Sequence, residues 1–165
     1  MQLITDHFKN YPSQQKVAEV LLRQGIAVRD GDAYCGDIKQ SDTAVAKAAG
    51  VDRRIVRATI EKISNTPELL ALFSKLRPML LLSEAARELG CSCIEVVPTD
   101  ATMPGILAGI MDILYRAGIS VRQAVVSDPV DENASHLLIV ADGEIPGDVL
   151  SAVRNSRGVA EVIIK

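Results

Sequence analysis

The spacing of apolar residues changes near Gly90, from a helical period to mainly strand alternation. Before this point, apolar residues recur every three or four positions, which is typical of amphipathic helices. After it, short β-branched runs alternate with polar residues, and two helical segments separate these runs. The pattern predicts an α+β protein with a helical N-terminal part and a sheet in its C-terminal part.

Composition is that of an ordinary globular protein. The 165 residues are 48% hydrophobic and 24% charged, which excludes long disorder, and 3% are aromatic, which disfavours base-stacking platforms. Three cysteines are too few for a disulfide framework, and no apolar run reaches the roughly 18 residues of a membrane-spanning helix. Because the N-terminus lacks a secretory signal, we expect a cytoplasmic protein with reduced thiols and no membrane partner.

The net charge differs between the two parts. The whole chain carries a formal charge of −3, which taken alone disfavours nucleic acid as a partner. Residues 1–90 contain 13 Lys and Arg against 11 Asp and Glu, a net charge of +2, whereas residues 91–165 contain 5 against 10, a net charge of −5. A DNA-binding role for the N-terminal part therefore stays open.

Local signals divide the N-terminal part into helices and one ribbon. Ser13 is predicted to cap a helix over about 14–24, and Asp30-Gly31 is predicted to form the turn of a two-stranded ribbon within 26–38. The amphipathic segment 68–89 is predicted to be a helix that breaks before a proline. We expect it to serve as a helical linker.

Two short helices are predicted on either side of Gly50. Ser41 can cap the first and Asp52 the second, and a glycine between two such helices is typical of a helix-turn-helix. In projection, Ile55, Val56, Thr59, Ile60 and Ile63 share one side of the second helix, and Arg53, Arg54 and Arg57 lie on the other.

Arginine at a helix N-terminus is unfavourable for the helix dipole but suits contacts with phosphates and guanine edges. The predicted DNA-binding residues are Arg53, Arg54 and Arg57, with Ser41 and Thr43 as phosphate contacts through hydroxyl and free N–H groups. A solvated basic face on a helical hairpin is the alternative.

The segments after Gly90 follow the order β-α-β-β-α-β, the ferredoxin-like arrangement. The turn from the first strand into the first helix contains Pro104 and Gly105, and free N–H groups there can bind a carboxylate or another anion. The alternative is a turn that the fold requires for its own sake.

Both parts resemble known families. The segment 41–57 resembles the helix-turn-helix of small archaeal and bacterial regulators through Ser41, Val45, Ala46, Gly50, Val51, Arg53 and Val56. Residues 92–165 resemble the ACT domain, an amino-acid-binding regulatory module, through Pro104-Gly105-Ile106-Leu107 and the later Ala117-Gly118-Ile119-Ser120-Val121. The resemblance implies that the effector binds at the turn formed by Asp100, Thr102, Met103, Pro104, Gly105, Ile106 and Leu107.

Together these parts resemble the mostly archaeal predicted regulators of amino acid metabolism. The implied organisation is a helix-turn-helix domain over 1–66, a helical linker over 67–90 and an ACT-like domain over 91–165. The implied function is transcriptional regulation by a homodimer, or a higher homo-oligomer, that binds double-stranded DNA and an amino acid effector. We expect no cofactor and no enzymatic activity. The alternative is a regulatory subunit that docks on a biosynthetic enzyme without binding DNA.

Three further features have two readings each. Asp128, Asp131 and Glu132 either bind a divalent cation or form a solvated loop. His136 either contacts a ligand or lies at a strand edge. Cys91 and Cys93 have no second Cys/His pair for a zinc site and are interpreted as strand thiols.

Overall fold

The structure, a computed structural model, describes residues 2–126 and 136–165. The chain forms two compact units, Met1–Leu80 and Leu81–Lys165, and each contains its own buried apolar cluster. The first unit is mainly helical and the second is built on a four-stranded sheet, so the protein is α+β. Within the described ranges, no helix is long and apolar enough to cross a membrane.

The first unit combines helices with a small antiparallel sheet. Its helices are α1 (Gln2–Phe8), α2 (Pro12–Arg23), α3 (Asp42–Ala49), α4 (Arg53–Asn65) and α5 (Pro67–Phe73), and its strands are β1 (Ala27–Arg29), β2 (Asp32–Cys35) and β3 (Ile38–Gln40). Every helix contributes to one core, whose largest fully buried side chains are Phe8, Leu21, Ile60, Ile63, Leu69 and Phe73.

The sheet contains one strand more than the predicted ribbon. Asp30 and Gly31 form the predicted hairpin turn, with φ values of 51° and 75°, as a mirror-image turn between two strands requires. A second tight turn at Gly36, with φ of 60°, adds β3. The predicted cap at Ser13 is wrong, because α2 begins at Pro12, two residues before the predicted start, and the fixed φ of proline suits the first position of a helix.

The second unit has the element order β-α-β-β-α-β. Its elements are β4 (Cys91–Pro98), α6 (Ile106–Arg116), β5 (Val121–Val126), β6 (Leu137–Asp142), α7 (Gly147–Arg154) and β7 (Val159–Ile164), preceded by a short 3₁₀ helix, Leu82–Ala85. The sheet order is β5-β6-β4-β7 and every pairing is antiparallel. The two helices cover one face, where Ile94, Val96, Ile110, Leu114, Ile139 and Val153 are buried.

The segment predicted as a helical linker over 67–90 is divided between the two units. Leu69 and Phe73 of α5 are fully buried in the first core. Ala86 is buried in the second unit, against Cys93 and Val140. The apolar residues of this segment therefore pack on two different clusters, and the segment does not form one linker helix. The candidate cation ligands of residues 128–132 lie outside the described residues.

Candidate functional sites

Helices α3 and α4 are joined by a three-residue turn with a cap on each side. The Ser41 side chain accepts a hydrogen bond from the Ala44 amide at 3.2 Å, and Gly50 ends α3 in the left-handed region with φ of 64°. Asp52 Oδ1 then accepts from the Arg54 amide at 2.8 Å to begin α4. The predicted caps at Ser41 and Asp52 are confirmed.

One side of α4 is buried and its N-terminal arginines are exposed. Val56, Ile60 and Ile63 are fully buried, as the projection predicts. The side chains of Arg53 and Arg54 are exposed, and no ion pair engages either of them in the part of the chain that the structure describes. Two unneutralised cations therefore stand at the helix end where the dipole disfavours them.

The α3 residues predicted to contact phosphate are at its exposed first turn. Ser41 and Thr43 are both exposed. Their neighbour Asp42 begins α3 and carries a negative charge that would repel a phosphate. A phosphate can therefore approach this end of α3 only if another group neutralises Asp42.

Arg57 neutralises Asp42 and has a structural role that the helical projection missed. Its Nε donates to Asp42 Oδ2 at 2.9 Å and its Nη2 to Asp42 Oδ1 at 2.8 Å. Its Nη1 donates to the Gly31 carbonyl at 2.8 Å, and Nη2 also lies 3.4 Å from Asp32 Oδ1. The guanidinium thus joins α4 to the start of α3 and to the β1–β2 turn.

The charges in this network balance one another. The bidentate bond with Asp42 raises the pKa of Arg57 above its ordinary value. Lys39 Nζ lies 2.6 Å from Asp32 Oδ2, and this hydrogen bond lowers the pKa of Asp32. Two cations therefore compensate two carboxylates, which leaves Arg53 and Arg54 uncompensated.

Replacing Arg57 by alanine is expected to lower the free energy of unfolding of the first unit by about 1–2 kcal/mol. Several charge-assisted hydrogen bonds are lost, but solvent screening reduces their value because the side chain is 41% exposed. Urea unfolding followed by circular dichroism measures the change. Arg53→Ala is the control and should change stability by less than about 0.5 kcal/mol; an equal effect of both variants would contradict the structural role of Arg57.

The second candidate site is the turn that joins β4 to α6. Asp100 Oδ1 accepts hydrogen bonds from the Thr102 amide at 2.8 Å and the Thr102 hydroxyl at 2.7 Å, and these bonds lower the pKa of Asp100. The Thr99 amide donates to the Gly158 carbonyl at 2.9 Å. Gly105, with φ of 94°, ends the turn, and α6 begins at the next residue, Ile106. The turn is thus fixed at both its start and its end.

A cavity of about 210 Å³ lies between this turn and one end of the sheet. Val96 of β4 and Leu137 of β6 are paired in register and form its sheet side. Ile106 and Leu107 form its side along the first turn of α6. The structure thus places an apolar cavity directly beside the N-terminus of a helix.

The cavity includes part of the predicted effector site. Four of the predicted residues line it: Met103, Gly105, Ile106 and Leu107. Three others belong to the same turn but do not line it: Asp100, Thr102 and Pro104. Sequence reasoning missed the sheet side and Ala101, since alternation alone does not show which strand ends meet. His136 also lines the cavity, as the ligand-contact reading of that residue requires.

Gly158 leaves room for two of these lining residues. A Cβ at this position would lie 2.7 Å from Ile106 Cγ1 and 3.0 Å from Met103 Sδ. Gly158 also has φ of 85°, which side-chain-bearing residues rarely adopt. The close approach of the chain before β7 therefore holds the cavity wall in place.

A larger cavity, of about 540 Å³, lies over the opposite face of the same sheet. Its lining contains both acidic and basic side chains: Glu84, Glu88, Glu95, Arg87 and Lys165. Glu95 forms an ion pair with Lys165. These two cavities therefore differ in chemistry, one apolar and one charged.

Comparison of the sequence with protein families and with curated proteins gives no match. Among residues 2–126 and 136–165, no cluster of His, Cys, Asp and Glu side chains has an arrangement that can hold a metal ion. Cys91 and Cys93 are buried free thiols, and burial raises the pKa of Cys93.

Proposed function

We propose that the protein is a transcriptional regulator of amino acid metabolism that binds double-stranded DNA through α3 and α4 and responds to an amino acid. In this proposal α3 and α4 are a helix-turn-helix, and α4 is the helix that enters the major groove. The observation that carries the proposal is the pair of exposed, unneutralised arginines, Arg53 and Arg54, at the N-terminus of α4.

The surroundings of these arginines support contact with DNA. Arginine reaches both phosphate oxygens and guanine edges, and N-terminal residues of a recognition helix are the ones that approach base edges. Ser41 and Thr43 supply hydroxyls at the first turn of α3, where Arg57 cancels the charge of Asp42. In a purely structural helical hairpin, the two exposed arginines would carry an electrostatic cost without a gain.

The second unit, in the same proposal, is a ferredoxin-like domain of the ACT type that binds the amino acid effector beside α6. Its β-α-β-β-α-β order and antiparallel sheet support this assignment, as does the cavity along the turn. Strands β5 and β7 are the outer strands of the sheet, and an outer strand can pair with a second subunit. We therefore assign the unit to homodimerisation as well.

The test is fluorescence polarisation of a labelled random duplex titrated with the intact protein at several salt concentrations. We expect binding that weakens steeply with salt, because each phosphate contact adds about −0.9 to the slope of log K against log salt. Absence of binding at low salt would refute the regulator. It would favour the regulatory subunit that docks on an enzyme.

A further inference from the structure

The chemistry of the smaller cavity is almost entirely apolar. Its walls are formed by methionine, leucine, isoleucine, valine, alanine and proline side chains, and His136 is the one polar side chain among the described residues that line it. Val96 and Leu137 are 0% and 6% exposed. Among the residues that the structure describes, His136 is the one lining side chain that could partner a charged group, and the apolar walls would remove the hydration of that group at a cost of several kcal/mol.

The cavity also has a size that selects among side chains. Cavities of about 150 Å³ lined by aliphatic residues hold a molecule as large as benzene, and this one is about 210 Å³. An aliphatic chain of three or four carbons therefore fits, whereas alanine or glycine would leave most of the space empty.

The polar end of such a ligand has a partner at the cavity rim. Among the described residues, no side chain caps α6, so no side chain satisfies the first amides of this helix, which stand at the positive end of its dipole. Its first two residues, Ile106 and Leu107, line the cavity. A small molecule with a carboxylate and an alkyl group could place the carboxylate at this helix end and the alkyl group in the cavity.

We infer that the effector is an amino acid with an aliphatic side chain of three or four carbons, as in valine, leucine or isoleucine. This inference rests on the proposed function, since it names the ligand of the same site. The carboxylate binds at the amides of α6, and the side chain displaces solvent from the apolar walls. His136 borders this cavity and also lines the larger, charged one.

Isothermal titration of the intact protein with a homologous series tests the inference. Alanine, 2-aminobutyrate, norvaline and leucine differ by single carbons, and burial of each added carbon should tighten binding about fourfold. Aspartate, lysine and serine are the polar comparisons and should bind weaker than leucine by at least about 30-fold. Tightest binding of a polar or charged amino acid would overturn the inference.

A substitution that fills the cavity tests whether the amino acid binds there. Ala101 is exposed at the rim, so Ala101→Leu should fold and should weaken leucine binding more than tenfold, with less effect on alanine. Ala108→Leu adds the same volume on an exposed position of α6 outside the cavity and should leave binding unchanged. If Ala101→Leu and Ala108→Leu bind leucine equally well, the proposed site is contradicted. If a charged amino acid binds and Ala101→Leu does not weaken its binding, the larger, charged cavity is its binding site.

The outcomes separate this inference from the proposed function. If the protein binds DNA and a polar amino acid, and Ala101→Leu weakens binding of that amino acid, the regulator is supported and the aliphatic ligand is rejected. Leucine binding without DNA binding would keep the ligand and reject the regulator. If no amino acid binds the protein, the inference is rejected, whatever the result with DNA.

Discussion

The double variant Arg53→Ala/Arg54→Ala is expected to lose at least about 30-fold in DNA affinity. Good arginine contacts to bases are worth about 1–3 kcal/mol each, and contacts to phosphate add the counterion term. If both side chains contact phosphate, the slope of log K against log salt should also become shallower by about 1.8. Polarisation titrations of the variant and the unmodified protein on one duplex measure both quantities.

The control for this prediction is a variant that removes the same charge elsewhere. Arg23 and Lys75 are exposed residues of the first unit outside α3 and α4, and Arg23→Ala/Lys75→Ala lowers the net charge by the same two units. We expect it to change DNA affinity by only a few-fold through long-range electrostatics. Equal losses in the two double variants would mean that net charge, and not α4, carries the binding.

The substitution Gly25→Ala is expected to destabilise the first unit by about 3–5 kcal/mol. Gly25 ends α2 with φ of 62°, and its amide donates to the Leu22 carbonyl at 3.1 Å. A Cβ at this position would collide with the carbonyl oxygen of Arg77 and lie 2.7 Å from its carbonyl carbon. Backbone atoms cannot rotate away as a side chain can, so the segment after α5 has to move.

Gly50→Ala is the matched control. Gly50 also ends a helix in the left-handed region, with φ of 64°, but nothing lies within 4 Å of a Cβ built there. Gly50→Ala should lower the free energy of unfolding by only about 1–2 kcal/mol, because alanine is less stable than glycine in the left-handed region. Urea unfolding of both variants measures the difference, and equal losses would show that the contact with Arg77 carries no free energy.

Most of the element order was predictable because apolar periodicity and caps are local signals. Ser41 and Gly50 determine the two ends of α3, and Asp52 determines the start of α4. The strand β3 was missed because it is three residues long and Ile38 is its one apolar residue, so no alternation marks it in the sequence. The segment 67–90 was misassigned because periodicity does not show which core an apolar face joins.

The sites were predictable in part for a similar reason. Helical projection placed Arg53, Arg54 and Arg57 together, yet it contains no information on Asp42, which binds Arg57 from another helix. The turn around Gly105 was visible in the sequence, whereas the sheet side of the cavity depends on the pairing of β4 with β6. Both features depend on contacts between elements that are distant in sequence, and local sequence patterns contain no information on such contacts.

We propose that an amino acid bound to the second unit changes the DNA affinity of the first. The direct measurement is the Kd for duplex DNA with and without saturating leucine, with leucine binding verified by calorimetry on the same sample. We expect a 5- to 150-fold change in Kd, the usual range of coupling between two sites, and we expect Ala101→Leu to abolish this change. An unchanged Kd with leucine bound would contradict this proposal.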